Sequence, residues 1–216
     1  GIRQLQNATS AFFNFCVGTD ILTRNPINIQ ILPNLTREKI RRYHFTNEQY
    51  QRILRECDAL VPGTRTNRRR HNHYWKPAIT IGWHTGLRIS DVGNLIWSCI
   101  NWDEGTITVR PIKKRRYAEE LIIPMDPDLD DYLLQYRKLN YNPRDIPGYL
   151  LPLFHGKYVH APTAVDLEFR AICDTCNLPN HSFHSLRHGF VTRLINSGVD
   201  PITIMDPADP TRSLLM

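Results

Sequence analysis

Hydrophobic residues recur along this chain with two different periods, and the changes between them divide it into elements. Leu5, Ala8, Phe12, Phe15 and Cys16 return every three or four residues, which predicts one apolar helix face within residues 1–24. Asn25-Pro26 breaks that pattern, and residues 25–45, with Pro26, Pro33 and a basic run, have the composition of a linker. A new unit, 46–216, opens at Thr46, which has capping-box spacing to Gln49. Tyr50, Ile53, Leu54 and Cys57 follow as the buried face of its first helix. VPGTRTNRRRHNH (61–73) reads as a polar loop with turn chemistry at Pro62-Gly63. PAITIGWHTG (77–86) predicts a buried helix closed by Gly86, a residue that takes a left-handed cap easily. A short helix follows from Ile89 to Leu95.

Between Trp97 and Pro124 the period falls to two. Ile107 and Val109 alternate with Thr108 and Arg110, and Leu121 and Ile123 with Glu120 and Ile122, which predicts two half-buried strands joined by a basic turn. DPDLDDYLLQYRKL (126–139) starts acidic and ends basic, the polarity a helix dipole prefers. APTAVDLEFRAICDTC (161–176) predicts another helix, with Ala164, Leu167 and Ala171 toward the core. The last helix begins near His184, carries Leu186, Phe190, Val191, Leu194 and Ile195 as its stripe, and stops at Gly198. The expected class is α+β, mainly α-helical, with one small antiparallel sheet.

Composition narrows the partners. A chain of 216 residues can bury a core without disulfides or metals. No segment approaches a membrane span, and no leader marks the chain for export, so a cytoplasmic protein is expected. The first residue is Gly, which suggests a piece of a longer protein. The five cysteines, an odd number without framework spacing, are expected as reduced thiols. Lys plus Arg outnumber Asp plus Glu 27 to 21, and the excess clusters in REKIRR (37–42), RTNRRRHNHYWK (65–76) and IKKRR (112–116). Three such runs favour a polyanionic partner.

Three places could then carry chemistry. His184 and Arg187 lie three apart at a helix start, on one face and beside free N–H groups, where an arginine can hold two phosphate oxygens. In HTGLRISD (84–91), Arg88 can project from a backbone corner, with Asp91 placed to buttress it. Lys113 sits where a strand turns into the hairpin, and Lys114, Arg115 and Arg116 beside it, like Arg68, Arg69 and Arg70, suit backbone attraction to nucleic acid. A rival reading takes Cys173, Cys176, His181 and His184 as a zinc set, but only four residues, including Pro179, separate the pairs, too few for a finger to wrap an ion. Cys173 and Cys176 fit equally as buried small residues, and His181 as a loop histidine. A nucleophile elbow, a P-loop and a dinucleotide glycine pattern are all missing.

HTGLRISDVGNLIW, TITVRPIKKRRYAEELIIP and FHSLRHGFVTRLINSGVDP, in that order, resemble the catalytic domain of tyrosine recombinases, or phage-type integrases, from about Thr46 to Met205. Residues 1–24 resemble the last helix of that family's DNA-clamping domain. The resemblance implies that Arg88 and Arg187 are the two catalytic arginines, His184 the histidine, and Lys113 the hairpin lysine, with Lys114 as the alternative. Asp91 and His188 match supporting residues. It implies metal-free cleavage and rejoining of double-stranded DNA through a 3′-phosphotyrosyl link, with no nucleotide cofactor. It also implies a homotetramer on DNA for the full-length protein, whereas this fragment is expected to be monomeric.

The sequence departs from the family at its end. Ala208-Asp209 stands where Gly-His is expected, and the tyrosine would fall just beyond Met216. Tyr117, Tyr132 and Tyr136 are poorly placed to replace it and read as packing residues with a polar tip. Two explanations stay open: a truncated recombinase, or a decayed one that holds DNA without cutting it.

Overall fold

The computed structural model describes residues 2–27, 43–59, 74–110, 120–144 and 148–199. Contacts divide the chain into two compact units, Gly1–Arg41 and Arg42–Met216. In the first, helix α1 (Ile2–Gly18) ends in backbone bonds from Thr19 to Phe15 and from Ile21 to Cys16. The Asn25 amide donates to Asn14 Oδ1 at 2.6 Å, folding the following segment back along the helix. Cys16 and Ser10 are buried, but Leu5, Phe12 and Phe15 are exposed, so most of the predicted apolar face is uncovered among the described residues.

The second unit runs α2 (Asn47–Ala59), α3 (Trp75–Thr85), α4 (Ile89–Gly93), a 3-10 turn (Trp97–Cys99), β1 (Ile100–Asn101), β2 (Thr106–Val109), β3 (Leu121–Pro124), α5 (Pro127–Asn140), α6 (Pro152–His160), α7 (Pro162–Thr175) and α8 (Phe183–Asn196). The capping box at α2 forms in both directions, Thr46 N–H to Gln49 Oε1 at 2.9 Å and Gln49 N–H to Thr46 Oγ1 at 3.3 Å. The sheet is antiparallel in the order β1-β2-β3, with Ile107 opposite Ile100 on one side and Ile123 on the other. Ile107 and Ile123 face the core while Ile122 faces out, as a period of two requires.

Three expectations need correction. The two-residue strand β1 was not predicted, because it is too short to show a period. Helix α6 was also missed; Pro152 starts it, and Pro162 starts α7 after a one-residue break at Ala161. On α7 the buried face is Val165, Phe169, Ile172 and Cys173, not Ala164, Leu167 and Ala171; Leu167 is 61% exposed. The bulkier set wins because it removes more apolar area from water.

The core centres on Trp75, fully buried among Tyr74, Phe154, Phe169 and Phe183. Helix α3 is buried along nearly its whole length and lies against α8. Small residues permit that approach. A Cβ at Gly82 would stand 2.8 Å from the Phe183 ring, and one at Gly189 would stand 3.2 Å from the Trp83 ring.

Gly86 ends α3 in the left-handed conformation, φ 63°, and a Cβ there would lie 2.5 Å from the Phe190 ring. Gly105 has nearly the same φ, 62°, with open space around it. Gly105→Ala should therefore cost only the backbone strain, about 1–2 kcal/mol. Gly86→Ala should cost an additional ~1–3 kcal/mol for overpacking. Urea denaturation of the two variants checks this; equal losses would contradict it.

Candidate active site

The site is built at the corner between α3 and α4. The Thr85 hydroxyl donates to Ile81 O at 2.6 Å and accepts from the Leu87 N–H at 3.3 Å, so the last turn of α3 is tied off locally. Gly86 then reverses the chain, buried Leu87 anchors it, and Arg88 stands in extended backbone at the N-cap of α4. Arg88 thus leaves from a corner rather than from a helix face. Asp91, one turn into α4, is 4% exposed.

Helix α8 supplies the other half. Its start is fixed by Ser185 Oγ, which accepts from the Ser182 N–H at 3.1 Å, and by Phe183 and Leu186 buried against α3. Arg187 then reaches across, and its Nη1–H donates to Gly86 O at 2.7 Å. Burial depresses the Arg187 pKa, the nearby Arg88 charge pushes it the same way, and Asp91 opposes both. Two guanidiniums and one buried carboxylate therefore feel one another's charge, leaving a net positive corner. An anion with two or more oxygens would balance that charge. His184 is exposed one turn before Arg187, with its ring 4.6 Å from that of His188 and nearly perpendicular to it.

Arg88, Asp91 and Arg187 thus share one corner, with His184 and His188 on the same helix as Arg187. Lys113, Lys114, Arg115, Arg116, Arg68, Arg69 and Arg70 lie outside the described residues. The strands that lead toward the lysine segment are described, and at their ends Arg110 pairs with Glu120 at 2.9 Å.

Sequence reasoning missed a second network beside this corner. Arg193 lies 3.5 Å from the centre of the Trp83 ring and donates from Nη2 to Trp83 O at 2.6 Å. Tyr50 stacks on Trp83 at 4.3 Å. His84 Nδ1–H donates to Asp126 Oδ2 at 2.6 Å, and its Nε2 lies 3.4 Å from the Tyr50 hydroxyl. Asp126 also caps α5, its Oδ1 accepting from the Leu129 N–H at 2.9 Å. Burial works to raise the Asp126 pKa, but the hydrogen bonds from His84 and Leu129 outweigh it and hold it below the usual carboxylate value. An arginine set among the apolar residues of α8 was the one available signal for Arg193; nothing in linear spacing marks a pair 42 residues apart.

His181 lies in the loop before α8, as expected, but it is not solvated. It is buried against Phe45, with Nε2 3.3 Å from His44 O. Cys173 and Cys176 are buried free thiols, and burial pushes the Cys173 pKa up to about 12, which keeps it protonated. Among the described residues no group of three or more His, Cys, Asp or Glu side chains could hold a metal ion. Tyr132 and Tyr136 are half-buried packing residues, their phenol pKa values raised by burial. Among the described residues no helix is long and apolar enough to cross a membrane.

A profile of the Phage integrase family matches residues 44–208. The chain belongs to that family. It is 24% identical over 212 residues to the tyrosine recombinase XerC of Pediococcus pentosaceus, covering 95% of this chain and 65% of the relative. It is 23% identical to a XerC-like tyrosine recombinase of Caldanaerobacter subterraneus subsp. tengcongensis, covering 95% of this chain and 58% of that protein. The chain thus spans less than two thirds of the length of these curated relatives. Its fold is shared with the Tn1549 transposon integrase, solved in complex with a circular intermediate DNA. That match has a TM-score of 0.68 at 20% identity, over 95% of this chain and 70% of that one.

A net positive corner should bind a simple oxyanion. Inorganic sulfate at about a hundred times its Kd should stabilise the protein by roughly 2.7 kcal/mol. Arg187→Ala should abolish most of that gain. Melting temperatures at constant ionic strength, with sulfate exchanged for chloride, check this; an equal gain in the variant would contradict it.

Proposed function

We propose that residues 46–216 form the catalytic domain of a DNA site-specific recombinase that breaks and rejoins strands through a 3′-phosphotyrosyl intermediate. The observation that carries this reading is the convergence of Arg88 and Arg187 on the Gly86 corner around buried Asp91. In this reading a tyrosine hydroxyl attacks the scissile phosphorus, the new P–O bond to tyrosine forms, and the bond to the 5′ oxygen breaks. Arg88, Arg187 and His184 stabilise the charge on the pentacoordinate phosphorane, the preorganised electrostatics that dominates such barriers. Lys113, or Lys114, gives its proton to the departing 5′ oxygen as general acid. The phosphotyrosyl link keeps the energy of the phosphodiester, so rejoining needs no outside energy source.

Residues 1–24 are proposed as the last helix of a DNA-clamping domain, and 25–45 as the linker. Arg68, Arg69, Arg70, Arg115 and Arg116 are proposed to attract the DNA backbone. The nucleophile is proposed to lie just beyond Met216 in a longer reading frame, with that full-length protein acting as a tetramer on DNA. The 216-residue chain would then hold double-stranded DNA without cutting it.

Nicked duplex DNA carrying the target site tests this. The complete frame should form a covalent adduct that survives denaturing electrophoresis, and the 216-residue chain should form none. The affinity of the 216-residue chain for duplex DNA should fall by about 10³-fold or more between 50 and 200 mM salt if six or more phosphates are contacted. Salt-dependent binding with no adduct from the complete frame would instead identify a non-cleaving DNA-binding module.

A further inference from the structure

In an unbroken helix the Leu87 N–H would bond to Trp83 O. Here it donates to Thr85 Oγ1, so Trp83 O and Gly86 O, both in the last turn of α3, are left for outside donors. Two arginines of α8 take them: Arg187 bonds to Gly86 O at 2.7 Å and Arg193 to Trp83 O at 2.6 Å. Between those two bonds the helices touch closely. A Cβ on Gly189 would meet the Trp83 ring at 3.2 Å, and one on Gly86 would meet the Phe190 ring at 2.5 Å. Arg193 also lies 3.5 Å from the centre of the Trp83 ring, on which Tyr50 of α2 stacks at 4.3 Å. Burial lowers the Arg193 pKa, and the Asp126 carboxylate opposes that shift. Its Nη1 is buried and finds no acceptor among the described residues. A buried donor without a partner is costly, and an apolar side chain could pack on Trp83 without that cost. Packing alone therefore does not account for a guanidinium at this position.

We infer that Arg193 is a positioning residue: it locks the last turn of α3 against α8 and so fixes the span that Arg187 crosses to meet Arg88 at one phosphate. This rests on the recombinase reading given above. Arg193 acts through Arg187, because both donors come from one helix and grip carbonyls three residues apart on the other. Without the Arg193 bond, α8 is freer to shift along the end of α3, and a displacement of about 1 Å can cost on the order of a hundredfold in rate. Arg88 leaves from the corner that ends α3 itself and depends less on that grip.

The test compares Arg193→Met, which keeps an unbranched stem over Trp83 but removes the donor and the charge, with Arg193→Lys, which keeps a cation there and a donor for Trp83 O. In the complete reading frame, single-turnover cleavage at saturating DNA should fall at least roughly tenfold in Arg193→Met, with DNA affinity within about twofold of the unsubstituted protein. In an Arg187→Ala background the same substitution should cost less than about threefold, because residues that act through one another are not additive. Arg193→Lys should cleave at least about threefold faster than Arg193→Met. The 216-residue chain reads the same geometry without DNA. Arg193→Met should lose at least about half of the rise in melting temperature that sulfate gives, and Arg193→Lys should keep more of it. An equal rate loss in both backgrounds, a loss of DNA affinity in place of rate, or no recovery with lysine would overturn the positioning role. So would an unchanged sulfate effect in Arg193→Met, or a methionine variant that does not fold. Failure of the unsubstituted protein to cleave would overturn the recombinase reading itself, and the sulfate measurement would still decide the role of Arg193.

Discussion

The hydrogen bond from the Arg187 guanidinium to the Gly86 carbonyl, 2.7 Å long, holds the two halves of the site together. It exists because α3 stops where it does. Had the helix continued, that carbonyl would have been taken by an amide four residues on. Gly86 ends the helix in a left-handed turn, frees the carbonyl, and sends Arg88 off in extended backbone. A second arginine of α8 does the same one turn earlier: Arg193 donates to Trp83 O at 2.6 Å. The end of α3 is thus capped from outside by two arginines of α8, which orders the helix pair and orients Arg187 in one step.

That arrangement concentrates positive charge. Arg187 is partly buried, its pKa depressed first by burial and then by the charge of Arg88, and one carboxylate, Asp91, offsets them. A cluster with surplus positive charge in a sheltered corner gains most when an anion arrives, and gains further as that anion acquires charge. This is the property a phosphoryl-transfer site needs.

Much of this was legible in the sequence, and the parts that were not share a physical cause. Local signals spoke clearly: the Thr46–Gln49 box, the Gly86 cap, the period of two at Ile107 and Ile123, and the Asp126 start of α5 all rest on residues within a few positions of each other. The arginine corner was legible because each half carries a compact motif. Helix α6 was hidden because its apolar and polar residues show little segregation, with only Phe154 fully buried. The face of α7 was misassigned because Ala164, Leu167 and Ala171, like Val165, Phe169 and Ile172, recur at three- and four-residue steps; bulk, not period, decided between them. The burial of the loop residue His181 was hidden because it depends on Phe45, far away in sequence. The His84–Asp126 and Arg193–Trp83 contacts are likewise tertiary and have no local signature.

The central claim is that Arg88 and Arg187 act on one phosphate as a unit, and a double-mutant cycle on DNA cleavage by the complete reading frame tests it most directly. Arg88→Ala and Arg187→Ala alone should each slow cleavage by about 10²–10³-fold. The double variant should fall no more than roughly tenfold below the worse single one, because groups that work as a unit are grossly non-additive. Losses that multiply in full, to about 10⁴–10⁶-fold, would mean that the two arginines act independently, and would contradict the account.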